Sequence, residues 1–171
     1  TDPSDESLER AASHGISFVT QPIFLYAESK SYISNLGSEW TRQCYPIRHI
    51  LDKGVVLGFS TDAPATFWAV PSDPFPGIKL AVTRTAADGT DCGKDQAVDV
   101  ETAVRLYTAG AAQAAGFPDM GVLAPGCRAD FAVLSEDILT ISPEKIDQIR
   151  VEETYIGGDC VYRKNAPQRT V

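Results

Sequence analysis

Apolar and polar positions alternate between two periods along the first hundred residues. From Ser4 to Ser13 the spacing of Leu8, Ala11 and Ala12 predicts a short helix. Ser4 or Asp5 suits its N-cap, and Gly15 ends it. The β-branched and aromatic run Ile16-Ser17-Phe18-Val19-Thr20 predicts a strand that stops at Gln21-Pro22. Residues 23–39 read as irregular or helical. Pro46 to Lys53 predicts a helix, with Pro46 in its first turn and Gly54 just past its end. The continuous apolar run Val55-Val56-Leu57-Gly58-Phe59 predicts a second, buried strand. Helix, glycine and strand, twice over, is the pattern of consecutive β/α units in a parallel sheet.

Further along, residues 63–98 are rich in Pro, Gly, Asp and Thr, as a long loop is. Within them Asp73-Pro74 opens a short helix through Ile78, Leu80, Ala81 and Val82, and Ala86 to Gln96 reads as exposed loop. Asp99 then caps a helix whose Val100, Ala103, Val104, Tyr107, Ala111 and Ala114 share one face, ended by Gly116. After this the texture changes. Gly121 to Leu134 predicts two short strands around a turn at Pro125-Gly126. Ser142 or Pro143 starts a short helix through Ile146 and Ile149. Val151 to Tyr162 predicts a hairpin that turns at Gly157-Gly158-Asp159. The expected division is an α/β part over 1–116 and a β-rich part over 117–171.

Composition narrows the function classes. At 171 residues and 43% hydrophobic, the chain can bury one or two cores. No apolar stretch is long enough to span a membrane. Fifteen basic residues against 23 acidic give a net charge of −8, which argues against nucleic acid as a partner. The acidic opening Thr1-Asp2-Pro3-Ser4-Asp5-Glu6 lacks the features of a signal peptide and an initiating Met. The expectation is a chain that begins inside a longer protein. Four scattered cysteines, with no C-x-x-C pair, fit reduced thiols and a cytoplasmic setting.

The candidate chemistry centres on Ser60-Thr61-Asp62-Ala63-Pro64, directly after the second strand. A strand ending there delivers Asp62 to the carboxyl-end rim, where parallel α/β folds build their sites. A carboxylate at that rim can bind a metal or take a proton from water. Alternatively, Asp62 only organises the turn before Pro64. Gln21, at the end of the earlier strand, either faces the same pocket or makes strand-end hydrogen bonds. Phe67 and Trp68 follow Asp62 and either line an apolar pocket or pack under the loop. Arg84 either clamps a substrate carboxylate or forms a structural salt bridge. His14 and His49 are expected on the surface or in packing. Cys44 near His49 is a weak nucleophile candidate beside the commoner buried thiol.

Several pieces resemble one family in the same order. Gly121-x-Leu123-x-x-Gly126-x-x-Ala129-Asp130-Phe131 resembles the C-terminal signature of the amidohydrolase superfamily, and Thr154 to Tyr162 the hairpin that follows it. Gly54 to Pro64 resembles the family's eighth barrel strand with its terminal aspartate. Gln21-Pro22, Tyr45-Pro46-Ile47-Arg48 and Ala81-Val82-Thr83-Arg84 resemble its amidohydrolase-3 group, which includes N-substituted formamide deformylase-like and D-aminoacylase-like enzymes.

The resemblance implies an α/β fold holding the last two (β/α) units of a TIM barrel and a small C-terminal β domain. A whole barrel takes ~250 residues, so the barrel would be incomplete here, its N-terminal remainder lying elsewhere. It also implies a metal-dependent hydrolase of a non-peptide carbon–nitrogen bond in a small amide-type substrate. Zinc or another divalent metal would be the cofactor, and Asp62 a metal ligand and proton shuttle. No His-x-His accompanies it, so the isolated chain is expected to be inactive. The second reading is a non-catalytic remnant or interaction module without metal. A cut barrel edge would leave backbone unpaired, so the expectation is either self-association through that edge into a homo-oligomer or a rearranged sheet.

Overall fold

The computed structural model describes residues 2–64 and 72–165. Helix α1, Asp5–Ser13, starts as the sequence suggests, with the Ser4 hydroxyl accepting from the Ser7 N–H at 3.3 Å. Its Leu8 and Ala11 are buried. Strand β1, Phe18–Thr20, is shorter than the run that predicts it. Residues 23–39 resolve the open choice as helix. Here α2, Pro22–Leu36, has Pro22 in its first turn and a break at Glu28 (φ −121°), and α3, Ser38–Gln43, follows Gly37. Helix α4, Ile47–Asp52, then leads through Gly54 into β2, Leu57–Phe59, all three of whose residues are buried.

The two strands pair in parallel, Phe18 opposite Leu57 and Thr20 opposite Phe59. Both apolar runs thus end at the same pole. Helix α5, Phe75–Thr83, buries Phe75, Ile78, Leu80 and Ala81 and closes on Arg84 in a left-handed conformation (φ 51°). The helix capped by Asp99 is not uniform. It runs as α6, Val100–Arg105, then a π turn over Leu106–Gly110, then α7, Ala111–Ala115. The π turn lies against β2 so closely that side chains are excluded on both sides. A Cβ on Gly58 would meet Ala111 Cα at 2.9 Å, and one on Gly110 would overlap the Leu57 carbonyl oxygen.

The C-terminal part holds a three-stranded antiparallel sheet of β3, Phe131–Leu134, β4, Val151–Ile156, and β5, Asp159–Arg163. Only one strand forms in 121–134, where two were predicted; the 125–126 turn is present without a strand before it. The hairpin turn carries Gly157 and Gly158 at positive φ, as a two-residue connection requires. The segment Pro143–Gln148 is a 3-10 helix rather than an α-helix. Its Ile146, with Ile149 beyond it, is fully buried in the same cluster as Leu8, Ile47, Val55, Leu57, Phe59 and Ile78. Residues on both sides of position 117 therefore share one core.

Candidate active site

The carboxyl pole of β1 and β2 is built around Ser60. Its N–H donates to the Thr20 carbonyl at 3.0 Å, which extends the parallel pairing one residue past β2. Its hydroxyl accepts from Gln21 Nε2 at 2.9 Å. Its carbonyl lies 3.5 Å from the Tyr107 hydroxyl on the π turn. The Tyr107 ring stands edge-on to Phe59, with centroids 5.2 Å apart. The hydroxyl itself is fitted against Gly77 of α5, where any Cβ would collide with it. Burial, with the Asp73 charge adding to it, pushes this phenol well above its ordinary range, so Tyr107 stays a neutral donor.

Two residues on, Asp62 takes a left-handed backbone conformation (φ 56°) and is exposed. Aspartate tolerates that region better than most residues. Asp62 therefore lies just beyond the carboxyl end of β2. Gln21 stands at the end of β1, but its amide is engaged by Ser60. Phe67 and Trp68 lie outside the described residues.

Arg84 is a different kind of residue from a ligand clamp. It is 0% exposed. Its Nε donates to the Cys92 and Gly93 carbonyls at 3.0 and 3.1 Å, and Nη1 to Tyr45 O at 3.0 Å. Its Nη2 donates to Cys44 O at 2.8 Å. Burial pulls its pKa below the usual guanidinium value. The fork is used up by backbone acceptors from residues 44–45 and 92–93, so Arg84 joins two chain segments and neither clamps a substrate nor pairs with a carboxylate.

The other candidates are accounted for in the same way. Cys44 is buried, and burial raises its thiol pKa, the reverse of what a nucleophile needs. His49 Nε2 sits 2.7 Å from Asp5 on the surface, and His14 Nδ1 sits 2.9 Å from the Arg10 carbonyl. A cleft of about 390 Å³ runs beside β1, lined by Ser17 to Thr20, Tyr45, Pro46 and Ile50. Neither Asp62 nor Gln21 lines it.

Divalent metals take carboxylate oxygens as ligands, and the exposed Asp62 is a carboxylate at this pole. Among the described residues, however, no group of three or more His, Cys, Asp and Glu lies together to hold an ion. A catalytic zinc takes three protein ligands. These residues do not complete a metal centre by themselves. The rim residue that local pattern missed is Tyr107. Ser60 has the signal of ending an apolar run; Tyr107 reads only as one more position on a helix face.

The model of the amidohydrolase family matches residues 3–162. The YtcJ amidohydrolase of Bacillus subtilis strain 168 is 31% identical over 168 residues, covering 94% of this chain and 30% of the relative. The N-substituted formamide deformylase of Arthrobacter pascens is 27% identical, covering 91% of this chain and 28% of the relative. Atrazine chlorohydrolase TrzN from Arthrobacter aurescens TC1, crystallised with zinc, superposes with a TM-score of 0.65 at 21% identity. That superposition covers 94% of this chain and 34% of TrzN and shows the shared fold. The chain thus spans about 30% of the length of the curated relatives it matches. With nearly its whole length matched, it belongs to the amidohydrolase family.

Proposed function

We propose that these residues form the closing part of a metal-dependent amidohydrolase that cleaves a non-peptide carbon–nitrogen bond in a small amide-type substrate. The reading is carried by one observation. Asp62 stands exposed just past β2, at the carboxyl pole of two parallel strands. Family membership and the likeness to an N-substituted formamide deformylase support the bond type. In this reading residues 1–116 are the last two units of a TIM barrel and 117–171 a β-rich domain. The remaining metal ligands belong to the rest of the barrel, and the 171 residues alone are inactive.

Asp62 is then the carboxylate this chain brings to zinc or another divalent metal. When bound, such a metal supplies a water of lowered pKa. Asp62 accepts a proton at the rim and returns it to the departing nitrogen. Phe67 and Trp68, next along the chain, give the pocket an apolar wall. The setting is cytoplasmic and the assembly homo-oligomeric.

The experiment is metal analysis and hydrolysis of an N-substituted formamide by the full polypeptide and its Asp62→Asn variant. Near-stoichiometric zinc and loss of turnover in the variant are expected. A metal-free, inactive full polypeptide would instead establish the non-catalytic module. That second reading is favoured by the lack of a metal-binding group among the described residues.

A further inference from the structure

Ser60 is held at three atoms from two sides, by β1 with the residue that ends it and by the π turn. Thr20 takes its amide at 3.0 Å, Gln21 its hydroxyl at 2.9 Å, and Tyr107 approaches its carbonyl at 3.5 Å. It is the last residue of the β2 pairing, and only Thr61 separates it from Asp62. Asp62 is exposed and in a left-handed backbone conformation, so its place depends on what fixes the chain just before it. We propose that Gln21 and Tyr107 are positioning residues, which set the location of the Asp62 carboxylate by clamping Ser60. The inference rests on reading Asp62 as the metal-binding carboxylate.

The two contacts are complementary. Gln21 fixes the Ser60 side chain from β1, and Tyr107 fixes its backbone from the helix layer. Tyr107 in turn is kept in place by Gly77, because a larger residue there would push the hydroxyl off the strand end. A metal ligand whose support is loosened binds its ion less tightly even when the ligand itself is intact. The clamp therefore acts on metal affinity without touching the metal.

The test uses the full polypeptide, with zinc alone as the probe in a chromogenic chelator competition. Asp62→Asn is the control for the underlying reading. Unchanged zinc affinity there refutes Asp62 as a ligand, whatever the clamp does. Given a loss in that control, Gln21→Leu and Ser60→Ala should each weaken zinc by ~10-fold. Their combination should be no weaker than either alone, because both break the same link. A double variant ~100-fold weaker, the product of independent effects, would overturn the route through Ser60. Ser60→Thr, which keeps a hydroxyl, should restore most of the affinity.

A second measurement is independent of metal. Hydrogen exchange at the amides of 61–63 should quicken by ~10-fold in Gln21→Leu and in Tyr107→Phe, with β2 itself unchanged. Unaltered exchange in both variants overturns the clamp even if Asp62 is a ligand. If Gln21→Leu does not fold, Tyr107→Phe, which removes one oxygen only, decides the same question by both readouts.

Discussion

Tyr26 and Asp147, 121 positions apart, share a hydrogen bond of 2.8 Å between the phenol and Oδ2. Lys79 joins the same carboxylate oxygen at 3.0 Å. Three elements, α2, α5 and the 3-10 helix, thus meet on one acidic side chain. Its other oxygen, Oδ1, is buried without a hydrogen-bond partner among the described residues. Removing the carboxylate strands Lys79, which is largely shielded from water. Asp147→Ala should therefore cost about 3 kcal/mol, whereas Tyr26→Phe, which removes one neutral donor, should cost about 1 kcal/mol. Urea denaturation of both variants gives the comparison, and equal losses would show that Lys79 is not paired in solution.

The same trio sets a pH window. Burial acts to raise the Asp147 carboxyl, but the Lys79 and Tyr26 hydrogen bonds and the Lys79 charge outweigh it and hold the group below its ordinary value. Its contribution is full above about pH 4 and is lost as pH falls through the lower folded value. Tyr26 behaves oppositely. Burial first, then its bond to Asp147, pushes the phenol up to about 12. Stability from that shift is present below pH 10 and lost as pH rises towards 12. Urea midpoints across pH should show a shallower alkaline decline in Tyr26→Phe than in the parent. An identical decline would assign the alkaline limb to Tyr45 and Tyr107, which burial raises as well.

Arg84 predicts an intolerance to conservative change. Lysine keeps the charge but cannot span the carbonyls of Cys44, Tyr45, Cys92 and Gly93 at once. Arg84→Lys should destabilise by about 3 kcal/mol or more, because buried acceptors lose their donor and an ammonium stays buried. Thermal unfolding reads this directly. A loss under 1 kcal/mol would mean that water replaces the fork.

Gly110 separates two opposing effects. Its backbone is ordinary helix (φ −64°, ψ −44°), so alanine there gains up to about 1 kcal/mol of helix propensity. The added methyl, however, overlaps the Leu57 carbonyl oxygen, a backbone atom that cannot rotate away. Overpacking of this kind costs about 1–3 kcal/mol. Gly110→Ala should lower the melting temperature, and a rise would show that β2 and the π turn separate easily.

How much of this was legible depends on whether the signal was local. The run 55–59 and the caps at Ser4 and Asp99 are written in neighbouring residues; the caps form where expected, and the strand forms over the last three residues of its run. The position of Asp62 follows from the end of that run. The tie between Gln21 and Ser60 does not, because the register of two strands 39 residues apart is a tertiary fact. Arg84 stands in a polar stretch, Thr83-Arg84-Thr85, where nothing marks a charge for burial; its acceptors come from one loop 8–9 residues on and another 39–40 residues back. The π turn has no sequence mark beyond Gly110. The missing strand before Pro125 reflects the absence of a partner: among the described residues, β3 pairs only with β4.

The burial of Ile146 and Ile149 among side chains from α1, α4 and β2 has a consequence for how the molecule comes apart. Peeling off the 3-10 segment that carries them would open the hydrophobic centre that supports the rim, so that segment and the core cannot melt in separate steps. Heat or denaturant should unfold both in a single transition, with probes of either reporting the same midpoint.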